Sequence, residues 1–299
     1  MLASALSSRS FVVTAEFGPP RDPDPEVVRA GARALAGSVD AVNVTDNQAA
    51  TVKLFLVACS ALLIDEGVDP ILQLTGRDRN VMALQAELLG AWALGVRTIL
   101  ALTGDPLSVG PYEGVATPVG DLDSLGLTRL IATMNEGRLA AGEPLALPTS
   151  FLIAGAANPL VDSVERLQGK LDAGVGLLQT NIVYDVDRFA AWLEPFVAAG
   201  ITERAPLLVG VAPPRSTRML TYMHERIPGV EVDDATFARM EGLTGDAATA
   251  AGIEIAAELI GRLRRVPGVS GVHLMAPGWE SVAVPAVVQA AGLGASALG

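Results

Sequence analysis

The stretch DPILQLTGRDRNVMALQAELLGAWALGVRTILALTGD, residues 69–105, decides the fold. It begins with a short apolar run, continues through a Leu- and Ala-rich segment with the length of a helix, and ends with a second apolar run. Both apolar runs lead into small and polar residues, TGRDRN after the first and TGDP after the second. This order is typical of two parallel strands joined by a crossover helix.

The same alternation recurs along the whole chain. Short β-branched runs alternate with longer helical patterns, and the count of such units comes to eight. Eight βα units form a closed barrel, so we predict an α/β protein with a (β/α)8 TIM barrel over residues 1–299 as a single domain. The predicted strands are Phe11–Phe17, Val39–Thr45, Asp69–Thr75, Arg97–Thr103, Thr149–Ala156, Gly176–Ile182, Pro206–Ala212 and Gly271–Met275.

One segment departs from the simple repeat. Residues 228–266 are too many for a single crossover, and VDDATFARME followed by DAATAAGIEIAAELIGRLRRV indicates two helices. We therefore expect an extra helical elaboration before the last strand. No Ser-, Gly- or Pro-rich linker divides the chain, which favours one domain.

The composition excludes several classes of partner. The net charge is −12, and Lys53 and Lys170 are the only lysines, so a nucleic-acid partner is not expected. No apolar run approaches the roughly 20 residues that span a bilayer. The opening MLASALSSRS lacks the basic start of a signal peptide, so we expect a cytoplasmic protein. The lone Cys59 is interpreted as a buried helical thiol.

Polar residues concentrate at the predicted carboxyl ends of the strands, where TIM barrels carry their reacting groups. Glu16 interrupts an otherwise apolar run, and burial there would raise its pKa by desolvation. Asp105 follows the fourth strand. The alternative interpretation is that both carboxylates cap helices or pair with arginines. The later strand ends add Asn158, Asn181, Asp185 and Arg215.

Several classes of catalytic site are disfavoured by the residues that the sequence offers. Neither lysine lies on a predicted strand, which disfavours a Schiff-base mechanism. A zinc site needs clustered His or Cys, and the only histidines are His224 in a predicted helix and His273 in the last predicted strand, so no metal is expected. No G-x-S-x-G or Walker motif is present. Carboxylates and amides can donate a proton and orient a heterocycle, while hydride or carbon transfer is left to a cofactor. A bound flavin or pterin would be a suitable cofactor for this set of residues.

Seven segments in order resemble the methylenetetrahydrofolate reductase family, especially the short bacterial form of corrinoid-linked pathways. They are AEFGPP, VNVTDNQ, LQLTGRDRN, ALTGD, AANP, KLDAG and QTNIVYD. The resemblance implies a flavoprotein that holds FAD, takes electrons from NAD(P)H and reduces 5,10-methylenetetrahydrofolate to 5-methyltetrahydrofolate, as one-carbon metabolism and methionine biosynthesis require. A reduced folate is the implied substrate, and we expect a homo-oligomer.

The resemblance also assigns roles to individual residues. Glu16 is the implied general acid that protonates N10 of the folate, and Asp105 is the implied catalytic carboxylate beside the flavin and the pterin. Met219 and Met223 have core packing as their alternative reading. The implied cofactor-binding residues are Thr45, Gln73, Thr75, Leu102, Thr103, Gly104, Asp105, Ala157, Asn158 and Lys170. The implied substrate-binding residues are Glu16, Asp105, Asn181, Met219 and Met223.

The chain departs from the family pattern at four of these positions. Better-known members carry arginine at Thr103, histidine at Gln73, tyrosine at Asn158 and glutamine at Asn181. Loss of a cation near a pyrophosphate predicts FMN, a weakly bound flavin, or a redox partner subunit that supplies electrons. Two other readings stay open: a pterin-binding methyltransferase barrel without flavin, and a reductase-family subunit that binds a redox partner.

Overall fold

Eight parallel strands close into a barrel. The computed structural model describes residues 1–9, 11–227 and 229–293. Each strand pairs with the next in sequence, and the eighth pairs with the first, which confirms the (β/α)8 prediction. The strands are β1 Val12–Phe17, β2 Ala41–Val44, β3 Pro70–Thr75, β4 Thr98–Leu102, β5 Leu152–Ala157, β6 Leu177–Ile182, β7 Leu207–Val211 and β8 Val269–Leu274.

Helices surround the barrel, and most begin at a side chain that accepts a hydrogen bond from the first turn. Asp24, Asn80 and Asp123 do so, for example. Within the described ranges, no helix is long and apolar enough to cross a membrane. The helices are α1 Leu2–Ser8, α2 Pro25–Leu35, α3 Leu56–Asp65, α4 Val81–Ala93, α5 Ser124–Asn135, α6 Val164–Asp172, α7 Val186–Ala198, α8 Ile201–Arg204, α9 Thr217–Arg226, α10 Asp234–Met240, α11 Gly245–Leu263 and α12 Glu280–Ala290.

The fifth strand begins later than predicted. The prediction started it at Thr149, whereas β5 starts at Leu152. The side chain of Asn135, the last residue of α5, accepts hydrogen bonds from the Thr149 hydroxyl at 2.8 Å and from the Phe151 N–H at 2.9 Å. These bonds hold residues 149–151 against the end of α5, so the groups are not available to the sheet.

The predicted helical elaboration before β8 is present as α10 and α11. Helix α11 lies against β7 and α12, and its Gly252 passes close to the chain after β7. A Cβ at Gly252 would lie 1.9 Å from the carbonyl oxygen of Pro214. The elaboration is therefore packed into the barrel wall behind the loop that follows β7.

Helix α1 was not predicted, and it closes the amino-terminal end of the barrel. Leu2 is fully buried in a cluster with inward-facing strand residues, and its N–H donates to Asp69 Oδ2 at 2.5 Å. The burial of Leu2 and Ala5 accounts for the apolar residues of this helix. The inward-facing strand residues of this cluster are Val12, Ala41, Ile71, Leu100, Ala154, Leu177 and Leu208.

The barrel interior changes along its axis, from apolar at the amino-terminal ends of the strands to polar at their carboxyl ends. Every second residue of a strand faces inward. On β1 the inward series runs from Val12 in the apolar floor through Thr14 to Glu16. Glu16 therefore lies at the carboxyl end of the barrel, above a polar middle layer.

Gly271 is required where β8 closes on β1, and Gly271→Ala is expected to destabilise the fold by about 1–3 kcal/mol. A Cβ at this buried position would lie 2.1 Å from the Val12 carbonyl oxygen and 2.8 Å from Leu208 Cδ2. Urea unfolding measures the loss. Gly261→Ala in α11 is the control, because its Cβ meets nothing within 4 Å. Equal stability of the two variants would contradict the packing argument.

Candidate active site

The structure brings most of the predicted site residues to the carboxyl end of the barrel. They come from the ends of β1 to β6, with α9 and α6 contributing the rest. Some of their polar groups are available to a ligand, and others are already bound within the protein. The residues are Glu16, Thr45, Gln73, Thr75, Leu102, Thr103, Gly104, Asp105, Ala157, Asn158 and Asn181, with Met219 and Met223 on α9 and Lys170 on α6.

Glu16 is buried at the end of β1, with 8% of its surface exposed. Its Oε1 accepts from Gln48 Nε2 at 3.3 Å, and its Oε2 accepts from Gln73 Nε2 at 3.5 Å. Burial raises the pKa of the Glu16 carboxyl, the two amide donors oppose that rise, and the charge of Glu280 adds to it. A carboxyl in this environment is suited to carry a proton nearer neutral pH than an exposed glutamate.

Asp105 lies exposed after β4, and its surroundings depend on glycine. Its Oδ2 accepts from the backbone N–H of Ala49 at 2.9 Å, and its carbonyl accepts from Arg77 Nη1 at 3.0 Å. Gly104 has φ of 95°, and a Cβ there would lie 3.0 Å from Arg77 Cβ and 3.1 Å from Thr75 Cβ. Only glycine at position 104 therefore allows the chain after β4 to hold Asp105 in this position.

An ion-pair network missed by the sequence prediction supports the rim between β2 and β3. Asp46 accepts from Arg79 through both oxygens, at 2.7 and 3.1 Å, and from the Thr75 N–H and hydroxyl at 3.0 and 2.8 Å. Arg79 also pairs with Glu87 of α4 at 2.5 Å. Burial raises the pKa of Glu87 to about 7 although Arg79 opposes the rise. The Thr75 hydroxyl proton is therefore committed to Asp46.

Paired amides and a neutral imidazole form the polar middle layer beneath Glu16. Asn43 and Gln179 donate to each other across the barrel at 2.8 and 3.3 Å. His273 Nδ1 lies 2.9 Å from the Thr14 hydroxyl. Burial lowers the pKa of His273 to about 4, so the imidazole is neutral at pH 7. The layer is polar but uncharged and internally hydrogen-bonded, which gives the site a rigid floor.

The neutral His273 predicts an acid-sensitive stability. Because its folded pKa lies below the ordinary value, its contribution is present above about pH 6.5 and is lost as the pH falls toward 4. We expect it to lower the free energy of unfolding by about 2 kcal/mol between pH 7 and pH 5. Urea unfolding of the protein and of His273→Gln at both pH values isolates this difference. The variant His224→Gln, at an exposed position on α9, should keep the wild-type dependence; a His273→Gln variant that also keeps it would contradict the assignment.

Asn181 lies at an irregularity between β6 and β7. The pairing register shifts between Gln179 and Ile182, and the Thr180 hydroxyl accepts from the Gly210 N–H at 3.0 Å. The Asn181 side-chain oxygen accepts from the Ile182 N–H at 2.8 Å. Such bulges re-aim side chains beside active sites. Contact between Asn181 and a substrate stays a prediction.

The predicted cofactor-binding residue Lys170 is bound within the protein. Its ammonium group donates to the Ala156 carbonyl at 2.5 Å and to Asp162 at 3.2 Å. The buried Asp162 carboxylate also pairs with Arg166 and accepts from the Asn158 N–H. Two cations thus share one carboxylate, which leaves about one positive charge for a phosphate at this side of the rim.

Several other predicted site residues already make hydrogen bonds or packing contacts within the protein. The Thr103 hydroxyl accepts from the Ser124 N–H at the start of α5. Ala157 is fully buried between strands and helices, so it can reach a ligand only through its backbone. Met223 is buried with its sulfur 3.9 Å from the Tyr184 hydroxyl, so core packing accounts for it. Met219 is half-buried, and a role in substrate binding stays a prediction for both methionines.

A stacked cation lies on the opposite side of the rim. The exposed Arg215, after β7, holds its guanidinium 4.9 Å from the centre of the Trp279 ring, after β8. The next residue, Glu280, is the carboxylate whose charge reaches Glu16. Both Trp279 and Glu280 were missed because their segment carries no recognisable motif. A cation fixed on an aromatic face can bind an anionic group.

Curated relatives match this chain at modest identity. Methylenetetrahydrofolate reductase 1 of Schizosaccharomyces pombe is 31% identical over 150 residues, which are 50% of this chain and 23% of that protein. A probable methylenetetrahydrofolate reductase (NADH) of rice is 27% identical over 228 residues, 73% of this chain and 37% of that protein. The chain spans less than two fifths of the length of these relatives.

Solved structures share the fold at low identity. An uncharacterised protein from Clostridium thermocellum, described as binding two copies of 5-methyl-5,6,7,8-tetrahydrofolic acid, superposes with a TM-score of 0.66 at 14% identity over 97% of this chain and 98% of that chain. A tryptophan synthase chain from M. tuberculosis gives 0.55 at 12% identity over 99% and 96% of the two chains. The family model described as methylenetetrahydrofolate reductase matches residues 1–292. The chain belongs to the methylenetetrahydrofolate reductase family.

Proposed function

We propose that this protein is a methylenetetrahydrofolate reductase that converts 5,10-methylenetetrahydrofolate to 5-methyltetrahydrofolate by flavin-mediated hydride transfer. The observation that carries the proposal is the buried Glu16, whose raised pKa suits a proton donor, at the rim of a barrel that belongs to this family. The shared fold with a methyltetrahydrofolate-binding protein is consistent with a reduced folate as the substrate class.

Glu16 acts as the general acid in this proposal. Its carboxyl proton passes to N10 of the folate, so that the imidazolidine ring opens and a cationic iminium forms at N5. The methylene carbon of this iminium then accepts the hydride. Burial favours the protonated carboxyl before the transfer, and Gln48 and Gln73 can stabilise the carboxylate formed after it.

Asp105 is the second proposed catalytic group. A carboxylate fixed near the pterin stabilises the developing positive charge of the iminium by electrostatic attraction. The hydrogen bond from the Ala49 N–H and the constrained Gly104 hold it in one position. Its exposure leaves the other oxygen accessible to the polar edge of a heterocycle.

The rim fits a flavin ring better than a dinucleotide tail. Thr45 is 2% exposed, and its buried hydroxyl has no hydrogen-bond partner among the described residues, so a ligand heteroatom would satisfy it. Gln73 and Asp105 would hold the polar edge of the ring, and Lys170 would face the phosphates with part of its charge cancelled by Asp162. When bound, the flavin supplies the hydride. We propose FAD held weakly, or FMN.

The electron donor and the assembly of the protein are part of the same proposal. NAD(P)H is the proposed electron donor, which agrees with the rice relative, whose name specifies NADH. A redox partner subunit and a homo-oligomer are the proposed assemblies.

An anaerobic absorbance titration tests the function. The purified protein is reconstituted with FAD or FMN in the oxidised form, and 5-methyltetrahydrofolate is added. Bleaching of the visible flavin bands is expected, because the half-reaction runs backward and delivers hydride to the flavin. A reconstituted protein whose bands do not change would overturn the reductase proposal. A protein that takes up neither flavin would favour the methyltransferase or subunit reading.

A further inference from the structure

We propose that Gln48 is a positioning residue for Glu16, and that the loop carrying it is held in place by Asp105. The inference rests on the function proposed above, because it concerns the proton donor of that reaction. The loop consists of residues 47–50 between β2 and α3, and we call it the 47–50 loop.

Adjacent residues of the 47–50 loop bond to the two proposed catalytic carboxylates. Gln48 Nε2 donates to Glu16 Oε1 at 3.3 Å, and the Ala49 N–H donates to Asp105 Oδ2 at 2.9 Å. The carboxylates themselves come from β1 and β4, which are not neighbours in the barrel. The loop therefore bridges the two carboxylates.

The backbone of the 47–50 loop is strained and held by its surroundings. Asn47, Ala49 and Ala50 have φ of 44°, 53° and 48°, in the left-handed region that residues with a Cβ disfavour. Gly110, after β4, packs against the loop. A Cβ at Gly110 would lie 2.4 Å from the carbonyl oxygens of both alanines, so only glycine permits this approach.

Further hydrogen bonds hold the start of the loop. The Lys53 N–H donates to Asn47 Oδ1 at 3.0 Å, and Arg77 Nη2 donates to the Asn47 carbonyl at 3.4 Å. Strain of this kind persists only where the surrounding structure over-determines it, and it clusters at functional sites. The Asn47 contacts, the bond from the Ala49 N–H to Asp105 and the packing of Gly110 thus fix where the Gln48 side chain lies.

Gln48 is exposed, whereas Glu16 is buried, so the amide covers the carboxyl on its solvent side. A donor to a carboxylate favours the charged form, which opposes the desolvation that favours the protonated form. Gln48 thereby adjusts how readily Glu16 releases its proton. The other titratable or charged groups on elements packed around Glu16 are Glu280 on α12, His273 on β8, and Asp46 and Asp105 in the loops after β2 and β4.

The test is a titration of the Glu16 carboxyl in Gln48→Leu. This substitution removes the amide at similar size and at an exposed position. The readout is the infrared band of the protonated carboxyl against pH, assigned by its disappearance in Glu16→Gln. We expect ionisation of Glu16 to move to higher pH by up to about one unit, a tenfold change in its ionisation constant, because a donor to the charged form is lost. The alkaline limb of kcat should move in the same direction.

Two variants of the same region separate positioning from general loop damage. Thr51→Val removes a hydrogen bond from the Thr51 hydroxyl to the Ala49 carbonyl, 3.2 Å long, and should leave the Glu16 titration unchanged. Gly110→Ala pushes the loop through its carbonyls and should shift the titration as Gln48→Leu does. Thermal unfolding of each variant confirms that it is folded.

Two results would overturn the inference: a Gln48→Leu midpoint equal to that of the wild type, or an equal shift in Thr51→Val. Failure of the proposed function is a separate result, seen as unchanged flavin bands in the wild type. The infrared titration does not depend on catalysis, so it decides the role of Gln48 in either case.

Discussion

Replacing Glu16 by glutamine is expected to slow reduction of 5,10-methylenetetrahydrofolate by about 10²–10⁴-fold, the usual contribution of a positioned general acid. Glutamine has nearly the same shape but cannot transfer a proton to N10. The rate of flavin reoxidation by the folate, measured in a stopped-flow experiment, checks this. Flavin reduction by NAD(P)H needs no such proton, so its rate should stay near the wild-type value.

A matched carboxylate-to-amide change gives the control for Glu16→Gln. Glu254→Gln alters an exposed glutamate of α11 and should leave both half-reactions unchanged. In the wild type, folate reduction should decline as the pH rises through the raised pKa of Glu16, because only the protonated form donates. Retention of the folate half-reaction in Glu16→Gln would assign the proton to another group, and Glu280 would be the first to examine.

Replacing Asp46 by alanine is expected to lower the free energy of unfolding by about 3–5 kcal/mol, because it leaves a buried cation without its main partner. Arg79 would keep Glu87 as its charged partner and a 3.5 Å hydrogen bond to the Thr75 carbonyl, and the Thr75 N–H and hydroxyl would both lose their acceptor. Urea unfolding at pH 7 measures the loss. A weakened flavin affinity should accompany it, since Thr75 lies on the rim proposed to bind the ring.

The exposed pair of Arg239 and Glu258 provides the control for this prediction. It is also a two-pronged arginine–carboxylate contact, at 2.5 and 3.0 Å, but both side chains face solvent. Glu258→Ala should therefore cost at most about 1 kcal/mol. If Asp46→Ala costs no more than Glu258→Ala, the buried network does not stabilise the barrel as argued.

The order of strands and helices could be predicted from the sequence because it rests on local patterns. Apolar runs such as ILQLT and TILAL, separated by a helix-length segment, specify a parallel unit wherever they occur. The predicted start of β5 was wrong because a side chain outside the strand competes for the backbone. Asn135 binds residues at 149 and 151 and delays β5, and no local pattern reveals that contact. Helix α1 was missed for a related reason, since its burial depends on the closed floor of the barrel.

The candidate site also has features that the sequence determines and features that depend on the tertiary structure. The sequence by itself determined that Glu16, Thr45, Gln73, Thr75 and Asp105 lie at strand ends, because parallel strands all point their carboxyl ends to one side of a barrel. It also determined the resemblance that led to the family.

Only the tertiary structure decided which groups meet. Gln48 reaches Glu16, Ala49 reaches Asp105, and Asp46 binds Arg79, over separations of 32, 56 and 33 residues. Such contacts follow from strand register, loop conformation and the close approach that Gly110 allows, and those are set by closure of the whole barrel. The residue types at the rim are a local property of the chain, whereas their hydrogen bonds depend on distances between loops that no local pattern encodes.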